Sequence, residues 1–197
     1  NRQADVRLHL QRATAGPLRA SDLVGFATLS AHDLTIERSD AKLYGGALVV
    51  EEGALDLKSL EWSMEASLSH LDLESLLGAF GMEGRGTPDG SVRGNVELTG
   101  RGWKKSRLSG GGEIKVDRGH LYDLPIVLTV LKLFDLSLPR ESPVTNAYAG
   151  FRVGEGSIRL EDALLSGGTV PVHVRGTVGL EEEVALAEQP VDLVFTV

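Results

Sequence analysis

Apolar and polar residues alternate at period two over most of this chain, and that pattern limits the fold more than any other feature. The clearest run places Leu60, Trp62, Met64, Ala66 and Leu68 between glutamate and serine residues. Successive side chains of a strand point to opposite faces, so this run predicts one dry face and one wet face. Similar runs recur along the whole sequence. They predict a mainly β fold built as a long antiparallel sheet.

Two short helices are predicted between the strands. The first spans residues 72–80, with Asp72 as its N-cap and Gly81 just beyond its C-terminus. The second spans residues 125–135 and is almost entirely apolar. A helix of this kind needs an apolar cover, so it is expected to pack on or cap the concave face of the sheet. The side chains expected to form that cap are Val127, Leu128, Leu131 and Phe134.

Glycine supplies a second pattern. An apolar residue, a small or aromatic one and two glycines precede alternation at residues 43–46, 108–112 and 165–168. Twin glycines that enter a strand permit a β-bulge or a sheet corner, so the three signals predict a sheet bent repeatedly in one sense. Another glycine, in Glu52-Gly53, is predicted to mark a turn between two strands.

The chain divides into two series of strands. Residues 1–83 are expected to hold the first series with helix 72–80, and residues 91–197 the second with helix 125–135. Both series are expected to belong to one continuous sheet. The sequence starts without methionine and stops within a strand pattern, so it is interpreted as a fragment of a longer protein.

Composition argues against several classes of partner. The net charge of −8 disfavours a nucleic-acid surface, which needs clustered lysine and arginine. The basic cluster at residues 101–107 and the acidic run at 181–183 are interpreted as solvated loops. The chain contains no cysteine, which excludes disulfides and thiolate metal sites. The longest mostly apolar run, residues 124–134, is too short to cross a membrane as a helix.

Catalytic motifs are absent from the sequence. The glycines at 110–112 are not followed by the Lys-Ser/Thr pair of a phosphate loop, and no Gly-x-Ser-x-Gly elbow occurs. His70 with Asp72, or His32 with Asp33, could join a metal site, although solvated turn residues are the commoner arrangement. We therefore expect no enzyme activity, no cofactor and no bound metal.

Several of these segments together resemble the AsmA-like proteins of Gram-negative envelopes, which are related to TamB and other bridge-like lipid transfer proteins. The resemblance covers about residues 34–180, and each motif in it is short. It is carried by segments 43–46, 71–77, 94–102, 108–110, 117–121, 133–136, 151–158 and 164–176.

The resemblance implies a strongly curved sheet that forms an apolar groove, or half-barrel, in a periplasmic protein. It also implies an inner-membrane anchor absent from this fragment, a phospholipid or other acyl-chain ligand, and a role in outer-membrane homeostasis. The family has no catalytic residues to transfer. The residues expected to line the groove are Leu60, Trp62, Met64, Leu68, Ile114, Val116, Val170, Val172 and Val174.

Two functions remain open from the sequence. The first is a lipid-binding or lipid-transfer module with an exposed apolar face. The alternative is a non-catalytic structural or interaction domain with a closed core, whose strand edges pair with itself or with another envelope protein.

Overall fold

A computed structural model describes residues 3–15, 18–81, 89–102, 104–118, 145–167, 171–184 and 189–196. The predicted helix at 125–135, with its four capping residues, lies outside these ranges. So does Val170, one of the nine residues expected to line a groove.

Eleven strands make up nearly all of the described secondary structure. They are β1 Ala4–Ala15, β2 Leu18–Leu29, β3 Asp33–Leu43, β4 Gly46–Asp56, β5 Glu61–Asp72, β6 Ser91–Arg101, β7 Ser109–Asp117, β8 Asn146–Gly154, β9 Ser157–Ser166, β10 Val172–Gly179 and β11 Val191–Thr196. One α-helix, α1 (Leu73–Ala79), follows β5 directly, and a single 3₁₀ turn at Lys105–Arg107 lies between β6 and β7.

All eleven strands form one antiparallel sheet in the order of the sequence. Each strand pairs with the strand before it and the strand after it, so every pairing joins neighbours along the chain. β1 and β11 have a described partner on one side only, and the sheet is therefore open. The prediction of a mainly β, antiparallel fold is confirmed. Strands from both predicted series, 1–83 and 91–197, belong to the same sheet.

The first helix forms where the capping signals place it. The Asp72 carboxylate accepts hydrogen bonds from the backbone N–H of Ser75 at 2.9 Å and from its hydroxyl at 2.6 Å. These bonds satisfy donors that the first turn of a helix leaves unpaired. Gly81 follows the helix with a φ of 70°, the left-handed conformation that commonly ends helices.

The tightest packing lies where α1 meets the sheet. Leu43, Leu71, Leu73 and Val92 form a buried cluster, against which Leu76 and Leu77 of α1 pack. A second and smaller cluster joins Ala163, Val172 and Val174 between β9 and β10. Among the described residues, the largest side chains that are fully buried are Leu71 and Val92. Most other apolar side chains of the sheet are only partly buried.

The prediction that twin glycines mark β-bulges is wrong at the two sites where the structure describes both glycines. Tyr44 and Gly45 form the two-residue turn between β3 and β4, with φ angles of 45° and 76°. A tight hairpin turn needs such left-handed angles, so the glycine there closes a hairpin. Gly110 to Gly112 lie within β7 and pair with β6 and β8 without a shift in register. In the third signal, Gly167 follows β9 with a φ of 119°, and Gly168 lies outside the described residues.

Gly53, predicted to form a turn, lies in the middle of β4. The register does shift nearby, between Val50 and Glu52, because β4 carries one residue more than β5 at that point. Comparable shifts occur in the pairings of β2 with β3, β5 with β6, β8 with β9 and β9 with β10. These irregularities, and not the twin glycines, are the bulges of this sheet.

Several glycines within the strands lie where any larger residue would collide with a neighbouring strand. A Cβ atom on Gly112 would lie 2.3 Å from the backbone oxygen of Asn95 on the neighbouring strand. Backbone atoms of a paired strand cannot move away without breaking the ladder, so only glycine fits there.

We predict that Gly112→Ala lowers the free energy of unfolding by about 1–3 kcal/mol, the usual cost of forcing extra atoms into a packed site. The matched control is Gly154→Ala at the end of β8, where an added Cβ would have no neighbour within 4 Å. That control should change stability by less than about 0.5 kcal/mol. Urea unfolding followed by circular dichroism measures both, and equal effects of the two variants would contradict the steric explanation.

Candidate functional site

One face of the sheet is apolar from edge to edge. Residues directly opposite each other in an antiparallel pair point to the same face, so the pairing registers trace rows of side chains across the strands. A central row runs from β3 to β11. Its members are Ala41, Leu48, Leu68, Gly94, Ile114, Ala149, Ala163, Val174 and Phe195.

Two further rows cross all eleven strands. The first contains Leu8, Gly25, Ser39, Val50, Ala66, Val96, Gly112, Phe151, Leu160, Gly176 and Leu193. The second contains Val6, Ala27, Ile36, Gly53, Met64, Leu98, Gly110, Val153, Ile158, Val178 and Val191. Both rows contain glycine or alanine among larger apolar residues.

Shorter rows flank these three. On the side of α1 the row is Leu71, Val92, Val116, Ala147, Leu165 and Val172. On the other side it is Ala4, Leu29, Leu34, Leu55, Trp62 and Gly100. We call the surface formed by these five rows the apolar face. Its single polar side chain in these rows is Ser39.

The opposite face is polar. One of its rows joins Glu65, Glu97, Gly111, Arg152 and Arg159. The Arg152 guanidinium lies 2.5 Å from the Glu161 carboxylate, and similar exposed ion pairs join Arg93 to Asp117 and Lys42 to Asp22. The sheet is therefore amphipathic, with charges confined to one side.

A depression of about 790 Å³ is lined by residues from both sets of rows. Glu65, Glu97, Glu113, Tyr148 and Arg152 belong to the polar face, and Val96, Phe151 and Val153 belong to the apolar rows. Burial raises the pKa of the Tyr148 hydroxyl, and the nearby Glu113 and Asp162 carboxylates raise it further. The carboxylates and the phenol give this depression a mixed lining, unlike the apolar face.

Six of the nine predicted lining residues lie in three of the five rows of the apolar face: Met64, Leu68, Ile114, Val116, Val172 and Val174. Trp62 lies in the row on the side away from α1. Its ring occupies the space over Gly100, where an added Cβ would be 2.8 Å from a ring carbon, and its Nε1–H donates to the Gly102 carbonyl at 2.8 Å. Glycine on the paired strand is thus what lets the indole lie flat on the sheet.

Leu60 is the exception among the described residues. It lies in the turn before β5, 52% exposed and with a φ of 57°, so it is not part of the apolar face. The Asp56 carboxylate accepts the N–H groups of Lys58 and Ser59 at 2.7 and 2.8 Å, which folds this segment into a turn. These hydrogen bonds place Leu60 in a turn although it continues the alternating pattern of β5. Aspartate side chains readily accept hydrogen bonds from backbone N–H groups two or three residues further along.

Sequence reasoning missed most of the face. Strands β1 to β4, β6, β8 and β11 also contribute residues to the apolar face that were not predicted, such as Val6, Ile36, Val96 and Phe151. The alternation of apolar and polar residues was the sequence signal for these residues too. A bulge shifts that alternation by one residue part-way along a strand, which conceals it. Val50 and Gly53, three apart in sequence, both lie on the apolar face for this reason.

At the end of the sheet away from α1, hydrogen bonds link the loops that connect even-numbered strands to the next strand. We call the described residues of these loops the loop rim: residues 30–32, 57–60, 102, 104–108, 155–156, 180–184 and 189–190. The Leu57 N–H donates to the His32 carbonyl at 2.7 Å, and the Gly102 N–H donates to the Leu60 carbonyl at 2.8 Å. The Leu180 N–H donates to the Gly156 carbonyl at 2.8 Å.

The contact between residues 104–108 and 180–184 of the rim is the most extensive. The Glu182 carboxylate accepts from the Ser106 N–H at 2.9 Å, the Ser106 hydroxyl at 2.7 Å and the Lys105 N–H at 3.1 Å. The Lys105 ammonium donates to the carbonyls of Glu181 and Val184. Ser106 and Glu182 are exposed, in keeping with the interpretation of segments 101–107 and 181–183 as solvated loops, but that interpretation did not include their contact with each other. Their pairing spans 76 residues of sequence, which spacing alone does not reveal.

Hydrogen bonds from Ser106 and from the Lys105 N–H hold the pKa of Glu182 below its ordinary value of 4.5. A carboxylate whose folded-state pKa is lowered stabilises the fold above its unfolded pKa, and that contribution disappears as pH falls through the folded pKa. We predict that Glu182→Gln lowers the thermal midpoint at pH 7 and that its difference from the wild type shrinks as pH falls below 4.5. Thermal unfolding across a pH series tests this, and a difference that stays constant down to acid pH would refute the contact.

The described residues contain no group of three or more histidine, aspartate or glutamate side chains placed to hold a metal ion. No helix in the described ranges is both long and apolar enough to cross a membrane. Comparisons with protein-family models, characterised proteins and solved structures find no match to this chain.

Proposed function

We propose that this chain is a non-catalytic lipid-binding and lipid-transfer module that shields acyl chains against its apolar face. The observation that carries the proposal is the set of five rows, which hold one polar side chain across an eleven-stranded sheet. Exposed continuous apolar surface on this scale marks a binding site for another apolar body.

The size of the sheet compared with its described cover supports the proposal. Eleven strands about 4.8 Å apart span about 48 Å along the sheet surface. Helix α1 has seven residues and is therefore about 10 Å long. It packs against Leu43, Leu71 and Val92, at one end of strands β3, β5 and β6. Trp62, Met64, Leu68, Ile114 and Val116 remain partly exposed.

The surface texture suits a flexible hydrocarbon. Glycines lie between larger residues at several places in the rows, as in Leu98–Gly110–Val153 and Val96–Gly112–Phe151, so the face has hollows there. An acyl chain can follow such a surface because its bonds rotate freely. Each buried methylene contributes about 0.8 kcal/mol, so a long chain recovers much of the cost of leaving this face in water.

The AsmA-like resemblance supports the setting of the proposed module. In that setting the apolar face forms a groove, the module lies in the periplasm of a Gram-negative envelope, and the full-length protein is tethered to the inner membrane. The ligand is a phospholipid or another acyl-chain lipid, with no cofactor and no nucleic-acid partner. The module then contributes to outer-membrane homeostasis.

The proposal makes a sharp prediction for Met64, which lies between Gly53 and Leu98 on the apolar face. Met64→Glu should leave the fold intact and reduce co-purifying phospholipid several-fold, because an acyl chain on that surface would remove water from the carboxylate at a high cost in free energy. In a closed core the same charge would be buried without a partner and would cost several kcal/mol, enough to unfold a domain of ordinary stability. Native mass spectrometry for lipid and circular dichroism for folding measure the two effects.

Ser63→Glu is the matched control. Ser63 is adjacent in β5 but exposed on the polar face, and its cross-strand neighbours Ala54 and Thr99 are uncharged. This variant adds the same charge to the same strand and should retain both fold and lipid. Loss of folding in Met64→Glu alone would favour the closed-core interaction domain. A folded wild-type chain that carries no lipid and excludes fluorescent fatty acids would overturn the lipid proposal.

A further inference from the structure

Strand β11 has the composition of an interior strand although it lies at an edge of the sheet. It pairs with β10 on one side, and no described strand pairs with its other side. Val194 and Val191 are the two most exposed large apolar residues in the described part of the chain, at 64% and 56%. Val194 lies opposite Arg175 on the polar face. Packing within the apolar face therefore does not explain why this residue is a valine.

The other edge is different. The polar face of β1 carries Asp5, Arg7 and His9, and Arg7 lies 5.7 Å from the centre of the Phe26 ring. Charged side chains on an edge strand oppose the addition of another strand. Among the six residues of β11, Asp192 alone is charged. Short segments of high β-propensity, low charge and no proline pair readily with their like.

We propose that β11 pairs with β11 of a second copy of this chain. The two strands are antiparallel and related by a two-fold axis perpendicular to the sheet. This symmetry keeps both apolar faces on the same side, so the rows continue from one copy into the next. The proposal goes beyond lipid binding and does not depend on it.

The side chains select one register for this pairing. In such a pair one residue lies opposite its own copy. If that residue were Asp192, two carboxylates would meet. If it were Leu193, Asp192 would lie opposite Val194, which cannot bond to the carboxylate. If it were Val194, that valine would lie opposite its copy, Leu193 opposite Phe195 and Asp192 opposite Thr196. This last register buries the exposed valine, pairs apolar side chains with each other and gives each carboxylate a hydroxyl donor.

Cysteine cross-linking tests the pairing directly, because the chain has no cysteine of its own. In the proposed register the two copies of Val194→Cys face each other with Cα atoms about 4.5–5.5 Å apart, a separation that a disulfide can span. Arg7→Cys on β1 is the matched control at the opposite edge. We expect a disulfide-linked dimer for Val194→Cys and none for Arg7→Cys. Equal cross-linking of both variants, or cross-linking of Arg7→Cys alone, overturns the proposal.

Sedimentation velocity on the chain without cysteine gives an independent test. The wild type should shift from monomer to dimer as its concentration rises from micromolar to millimolar. Val194→Asp should remain monomeric with an unchanged circular dichroism spectrum, since residue 194 is exposed and the two carboxylates would oppose each other. His9→Asp, which adds the same charge to β1, should dimerise like the wild type. A wild type that is monomeric throughout, or a Val194→Asp variant that still dimerises, contradicts the pairing.

Discussion

Backbone pairing between consecutive strands is the constraint from which the rest of this structure follows. Each described strand pairs with its neighbours in sequence, and the antiparallel register sets which side chains share a face. A one-residue slip would turn the whole apolar set of a strand to the polar side. The apolar residues must therefore stay on one face across ten strand pairings. Where apolar residues are three apart in a strand, a bulge brings both of them to that face. Ile36 and Ser39, Leu68 and Leu71, and Leu160 and Ala163 are each three residues apart and still share the apolar face.

This explains how much of the fold the sequence could predict. The alternation in β5 and the Asp72 cap of α1 depend on local chemistry, and both were predicted correctly. A bulge shows in sequence as a break in alternation, which is also what a turn looks like, so Gly53 was assigned to a turn that does not exist. Leu60 was misplaced for the converse reason, because an Asp56 turn interrupted what looked like continuous alternation. The contact of Glu182 with Ser106 depends on which loops meet at one end of the sheet, and only the assembled topology determines that.

Ser39 shows how closely the apolar rows are fitted. It is 5% exposed, and its hydroxyl has no hydrogen-bond partner among the described residues. The oxygen lies 1.9 Å from the place where a Cβ of Gly25 would be, so the side chain fills the space that glycine leaves open. A hydroxyl without a partner costs free energy, and an alanine would avoid that cost but fill less of the gap. The pair Gly25–Ser39 therefore matches shape across two strands at the expense of one unsatisfied polar atom.

The two ends of the apolar face differ in kind, and this difference bears on how a long ligand would lie on it. At one end, α1 places Leu73, Leu76 and Leu77 against the sheet, so the local contacts are apolar. At the other end, the loop rim offers carbonyls, N–H groups and the Lys105–Glu182 contacts, most of them already bonded to each other. Acyl chains match the first environment and polar headgroups the second. A lipid bound along the strands would thus have a preferred direction, with its tails toward α1 and its polar end toward the rim, because the same meander that creates the apolar face gathers the polar loops at one of its ends.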